Sequence, residues 1–158
     1  MPGAGKSTAG ILLAKLTGLR FVDTDLDIQV REEATLQEIL EQHDYRYLRQ
    51  VEEDVLLNLR LDHALVSTGG SVVYSAPSMA RLKSLGPVIY LKTELATLEE
   101  RVAAAPLRGI ASDGEQSFAQ VYAERTPLYE RYADYILVTG DNTPQQVATA
   151  ALQLLPRN

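Results

Sequence analysis

The sequence predicts an α/β fold, a three-layer sandwich with a parallel sheet in its middle. Two observations carry that prediction. Short apolar runs alternate with longer stretches of helical period from one end of the chain to the other. The chain also opens on Gly3-Ala4-Gly5-Lys6-Ser7-Thr8, a glycine turn that runs directly into a helix. With 158 residues, no interdomain linker and no internal repeat, residues 1–158 read as one domain.

Taken in order, Lys6 to Leu16 reads as a helix with Ile11, Leu12, Leu13 and Leu16 as apolar residues and Gly18 as its stop. Leu19 to Val22 is a short strand ending at Asp23-Thr24-Asp25. Leu36 to His43 and Tyr45 to Leu61 are helical, and Leu48, Val51, Val55, Leu56 and Leu59 form a stripe along the second. Ala64 to Ser67 is a buried strand ending at Thr68-Gly69-Gly70. Met79 to Leu85 is a helix ended by Gly86-Pro87, Val88 to Leu91 a strand, and Glu94 to Ala104 a helix. Residues 105–116 form a polar, glycine-containing loop. Ser117 to Tyr132 is helical, Tyr135 to Val138 a strand, and Thr143 to Leu155 an amphipathic helix with Pro144 in its first turn.

Composition narrows the function. A net charge of −6 argues against nucleic acid as the main partner. No apolar run approaches the roughly 18–20 residues that span a bilayer, and no signal peptide is visible. The absence of cysteine excludes disulfides and thiolate metal sites and fits the cytoplasm.

The chemistry starts with the glycine turn, which reads as the end of a phosphate-binding loop. Its backbone N–H groups and the helix N-terminus would face phosphate oxygens, Lys6 would reach the β- and γ-phosphates, and the Ser7 hydroxyl would hold Mg²⁺. The full pattern wants a further Gly five positions before Gly5, preceded by an apolar strand. That strand is expected to be missing from this chain, through a late start or a truncation.

Ligands of a parallel α/β sheet sit beyond the carboxyl ends of its strands. Asp23 and Asp25, at one such end, suit Mg²⁺ and a substrate hydroxyl proton, or equally a turn and a helix cap. The paired Gly69 and Gly70 let a ligand approach the backbone, or simply make a tight turn. Arg108, in the 105–116 loop, suits a lid that closes over phosphates. Arg49 and Arg125 have the fork geometry for a carboxylate or phosphate, and surface salt bridges are the alternative for each. His43 and His63 stand beside helix ends as surface or capping residues.

Together, the P-loop, FVDTD, LRQVEE, TGG, RGI and ERTPLYERYAD, in this order and over nearly the whole chain, resemble the shikimate kinases of the P-loop kinase group. The resemblance implies an ATP-dependent kinase that phosphorylates the 3-hydroxyl of shikimate. It implies ATP and Mg²⁺ at Gly3, Ala4, Gly5, Lys6, Ser7 and Thr8, with Asp23 on the magnesium side. Asp25 then binds the acceptor hydroxyls, and Arg49 and Arg125 bind its carboxylate beside Gly69 and Gly70. Arg108 is implied as the lid arginine and Arg101 as an arginine near the adenine, with the Asp141–Pro144 loop bordering it. Lys6, Asp25 and Arg108 are the implied catalytic set, in a monomer.

Two motifs depart from the family pattern: Ser71 replaces a third glycine, and Gly109-Ile110 replace Pro-Leu after Arg108. The departures leave a related hydroxy acid such as gluconate as an alternative acceptor. A nucleoside monophosphate suits the carboxylate-reading arginines less well. A nucleotide-binding module without catalysis is the reading from another class.

Overall fold

The computed structural model describes residues 1–105 and 109–155. Four strands lie among them: β1 (Arg20–Asp23), β2 (Ala64–Ser67), β3 (Ile89–Lys92) and β4 (Tyr135–Val138). All pairing is parallel, but the strands form two pairs, β1 with β2 and β3 with β4. Val22 sits opposite Val66 in one, and Leu91 opposite Leu137 in the other. A cavity of about 650 Å³ is lined by both β2 and β3.

The helices cover these strands in three apolar clusters. Helix α1 (Lys6–Thr17) packs against α8 (Pro144–Leu154) through Leu13, Ala148 and Ala151, with Leu65, Ile89 and Leu137 of the strands beneath. The small Ala148 and Ala151 let the two helices approach closely. Helix α1 stops as expected, because Gly18 adopts φ 73 and returns its N–H to the Ala14 carbonyl.

A second cluster joins α4 (Tyr45–Asn58), α5 (Ala76–Leu85), α6 (Leu95–Ala103) and α7 (Phe118–Tyr132) through Leu56, Met79, Leu98, Val121 and Tyr129. The third gathers Ile28, Ile39, Leu48, Val51 and Val55 from α2 (Thr24–Glu32), α3 (Leu36–Gln42) and α4. Ala111 is buried in this third cluster, which ties the loop after α6 to the helices below it.

The structure departs from the sequence reading in three elements. Helix α2 begins at the end of β1, where no helix was read: Asp23 closes β1 and caps α2, the cap that was one of its two readings, accepting the Asp25 N–H at 3.2 Å. Asp25 is therefore in the first turn of a helix. Gly70–Tyr74 form a 3₁₀ turn, which carries Ser71 into the interior. Helix α5 also starts earlier than expected, at Ala76, because Ser75 caps it and Pro77 fits its first turn.

Candidate active site

The glycine turn folds as a phosphate loop should. Gly3 and Gly5 both adopt left-handed φ, 79 and 80, so the chain between them alternates hand and forms an anion-binding nest. A Cβ on Gly3 would press on the Leu98 carbonyl and Val102 at 3.3 and 3.2 Å, so the loop lies directly on α6. Gly5 caps α1 with no side chain, which leaves the helix N-terminus to solvent or a ligand. Lys6 folds back to donate from Nζ to the Met1 carbonyl at 2.9 Å. Gly5 and Thr8 are exposed, and Ala4 is buried as the loop's anchor.

Ser7 and Asp23 are brought together. The Ser7 hydroxyl donates to Asp23 Oδ2 at 2.5 Å and lies 3.3 Å from the Ser67 hydroxyl. The β1 and β2 ends supply Asp23 and Ser67, which are paired in register, so the sheet itself builds this oxygen cluster. Such hard oxygen donors suit Mg²⁺, which keeps waters and takes phosphate oxygens as its other ligands. Among the described residues no group of three or more His, Asp or Glu gathers as a metal site.

Arg101 ties two loops together. Its guanidinium donates to the Gly3 carbonyl at 3.3 Å and the Gly140 carbonyl at 3.0 Å. This places it between the phosphate loop and the turn that precedes α8. Arg108 lies outside the described residues.

On the other side, Asp25, Arg49, Gly69, Gly70 and Arg125 converge. Arg125 is 1% exposed and donates from Nη2 to the Ala111 carbonyl at 2.7 Å. Arg49 donates to the same carbonyl oxygen from Nε and Nη2, at 3.2 and 3.0 Å. The Arg49 guanidinium lies 3.8 Å from the Tyr74 ring centroid and 4.8 Å from that of Tyr45, which fixes its plane. The surface salt bridge that was an alternative for each arginine is absent among the described residues.

Gly69 and Gly70 are there because nothing larger fits. A Cβ on Gly69 would collide with the Glu52 carboxyl and lie 2.9 Å from Asp25 Oδ1. On Gly70 it would meet Arg125 Nη1 at 3.0 Å and the Tyr129 hydroxyl at 3.2 Å. Tyr129 donates to the Gly70 carbonyl at 2.6 Å and so holds the turn against α7.

Six participants were not identified from the sequence: Glu52 as a site residue, the rings of Tyr45 and Tyr74, the Ser67 and Tyr129 hydroxyls, and the Ala111 carbonyl. Glu52 follows Arg49 by three residues, so the two share a helix face, and that spacing was its one visible signal. Its carboxyl accepts a hydrogen bond from the Ser71 hydroxyl. Burial raises its pKa to about 7; the charge on Asp25 adds to the rise, while Ser71, Arg125 and Arg49 oppose it. Lys6, Asp25, Glu52, Gly69, Gly70, Ser71 and Arg125 line one small pocket of about 30 Å³, so the phosphate loop and Arg125 meet in one place.

Comparison with known proteins gives the same result from a separate direction. The family profile described as shikimate kinase matches residues 2–156. Shikimate kinase 2 of Yersinia pestis is 35% identical over 158 residues, covering 97% of this chain and 90% of that protein. Shikimate kinase 2 of an Enterobacter species is 32% identical over 152 residues, covering 93% and 87%. The structure of shikimate kinase from Acinetobacter baumannii in complex with shikimate superposes with a TM-score of 0.85 at 33% identity, covering 97% of this chain and 88% of that one. The Aquifex aeolicus shikimate kinase structure, at 24% identity and a TM-score of 0.77, shares the fold. A phosphate loop, an oxygen cluster beside it, a converging arginine pair and a family profile over nearly the whole length agree: this chain belongs to the shikimate kinase family.

Proposed function

We propose that the residues gathered between the phosphate loop and α7 carry out phosphorylation of shikimate at its 3-hydroxyl, each in a definite role. The chain is an ATP-dependent phosphotransferase with an alcohol acceptor. The observation that carries the assignment of roles is the shared pocket, where Lys6 lies on the same wall as Asp25 and Arg125. Donor and acceptor machinery are then in contact, as an in-line transfer needs.

In this reading the nest of Gly3, Ala4 and Gly5, with the N–H groups of Lys6, Ser7 and Thr8, holds the nucleotide phosphates. Lys6 leaves the Met1 carbonyl and neutralises charge on the transferring group. Ser7 and Asp23 hold Mg²⁺, which supplies charge neutralisation on the phosphates. Asp25 accepts the proton of the acceptor hydroxyl. Arg49 and Arg125 bind the acceptor carboxylate, with the Gly69 and Gly70 backbone against its ring. Arg101 borders the adenine, and Arg108 completes the phosphate site from a lid in residues 105–116. In the same reading the whole forms a single domain over residues 1–158 and works as a cytoplasmic monomer.

The finer architecture belongs to the same proposal. Helices on both faces of the strands support a three-layer sandwich. The cavity lined by β2 and β3 supports the place of a further, central parallel strand leading to the phosphate loop.

The test is ADP release coupled to a spectroscopic readout, with Mg-ATP and shikimate. Shikimate-dependent turnover is expected, and gluconate is expected to give none. Lys6→Ala is expected to abolish turnover with the protein still folded. Arg49→Ala is expected to raise the shikimate KM by roughly a hundredfold or more with a smaller change in kcat, the loss of a charge-assisted pair. An unaltered KM would place the acceptor elsewhere.

A further inference from the structure

Arg49 and Arg125 direct three N–H groups at a single atom, the carbonyl oxygen of Ala111. Arg125 also meets the Tyr74 and Tyr129 hydroxyls, and both forks feel the Glu52 and Glu124 charges. No ion pair closes on either arginine among the described residues, so the shared neutral acceptor leaves room for an anion. Arg125 Nε, buried, has no hydrogen-bond partner among the described residues. An anion with two oxygens satisfies more of these donors than a carbonyl does. The carbonyl therefore occupies ground that the arginines would yield to a carboxylate.

The space around it is also full. The pocket has about 30 Å³, room for a water or so and far less than a six-carbon ring acid requires, and Gly109, Ile110 and Ala111 form part of its wall. What seats that wall is Gly109. A Cβ there would lie 2.7 Å from the Leu36 carbonyl oxygen, 2.8 Å from its carbon and 2.9 Å from Leu40 Cδ1. Two of these atoms are backbone at the start of α3 and cannot step aside. Only glycine lets the segment lie this deep, and only at this depth does Ala111, two residues on, reach both arginines.

We propose that the Ala111 carbonyl is a built-in competitor for the acceptor's carboxylate, and that Gly109 is the residue that sets the strength of this competition. The inference rests on the reading of Arg49 and Arg125 as the acceptor's carboxylate partners. The acceptor binds by displacing the carbonyl, so the apparent affinity is the intrinsic one multiplied by the fraction of molecules in which the carbonyl is not seated. A neutral ligand gains too little from the arginines to displace it. Gly109 thus determines specificity for an anionic acceptor and the concentration at which that acceptor enters.

The test is calorimetric binding of shikimate and of its methyl ester to the wild-type chain, Gly109→Ala and Arg49→Ala, without nucleotide. Gly109→Ala cannot seat the segment and is expected to bind shikimate roughly three- to tenfold tighter, the equivalent of a weakened competing hydrogen bond. Unchanged or weaker binding overturns the proposal. Amide exchange of a peptide covering 109–116 is read alongside on the wild-type chain, which keeps the test valid if the variant does not fold. Shikimate is expected to speed that exchange and the methyl ester to leave it unchanged. Exchange that is unaffected or slowed by shikimate, or equally speeded by the ester, overturns the proposal. Arg49→Ala separates the two readings. If it leaves shikimate binding intact, the acceptor-site reading fails and the competitor with it. If it weakens binding while Gly109→Ala and the exchange stay unchanged, only the competitor fails.

Discussion

Glu52 shows how a single residue gathers the electrostatics of this site. Its carboxyl is enclosed beside Gly69, faces Asp25, and takes its hydrogen bond from Ser71, the residue that stands where the family pattern has glycine. Burial outweighs Arg49, Arg125 and Ser71 and lifts its pKa to about 7. A carboxyl whose folded pKa is raised favours folding most below its unfolded value near 4.5, and that contribution is lost as pH rises to about 7. The carboxylates with lowered values, Glu38, Glu124 and Asp134, lose their contribution as pH falls below the ordinary carboxylate range, so the two effects occupy different windows. The Tm of the wild-type chain is therefore expected to fall between pH 5 and pH 7 more than that of Glu52→Gln. Parallel Tm–pH curves would mean that the carboxyl is ionised throughout. Ser71→Gly removes a bond that holds the value down, and is expected to move the wild-type transition to higher pH.

At the scale of elements, helix starts follow local chemistry, and most were legible for that reason. Ser117, Thr143 and Thr35 each cap a helix in a reciprocal capping box, with Gln120, Gln146 and Glu38 returning to the cap backbone. Ser117 matters most for function, because α7 carries Arg125 and Tyr129. Ser117→Ala is expected to cost about 1 kcal/mol in urea denaturation. The same change should leave Arg125 seated, so the shikimate KM is expected to stay near the wild-type value. Helix α2 was not legible for an equally local reason. Leu26, Ile28 and Val30 alternate as in a strand, yet only Ile28 is buried, while Leu26 and Val30 are 59% and 78% exposed. Two-residue periodicity arises there from one core residue and two solvent-facing ones. The arginines were legible as candidates because the chain spaces them in helices. Their shared partner was not, because a main-chain carbonyl has no letter in the sequence. Gly109 looked like a departure from pattern, and packing against Leu36 gives it a reason.

For the whole molecule, the decisive feature is the division of the strands into two parallel pairs. A parallel sheet is ordinarily continuous and buried on both faces. Among the described residues β2 and β3 are each laddered on one side, and both line a cavity of about 650 Å³. Its lining is that of a core. Leu13, Val147, Ala148 and Ala151 contribute from the α1–α8 side, and Val72, Val73 and Met79 from the other. The residues to which the proposed function gives the acceptor, Asp25 and Arg125, line the small pocket instead. If the large cavity is the place of a central strand, the backbone groups of β2 and β3 that face it lack their ladder partners, and such an edge exchanges readily and attracts extended chain. Amide exchange resolved by residue is then expected to divide each of these strands. Amides bonded within the β1–β2 and β3–β4 ladders should be protected at least about tenfold more than those facing the cavity. An apolar dye should bind the native state and be released on unfolding. Supplying an apolar segment ahead of the phosphate loop is expected to abolish both effects together and to raise Tm. Equal protection on both edges, with no dye bound, would mean that the slot closes on itself and that β2 and β3 do not flank a strand site.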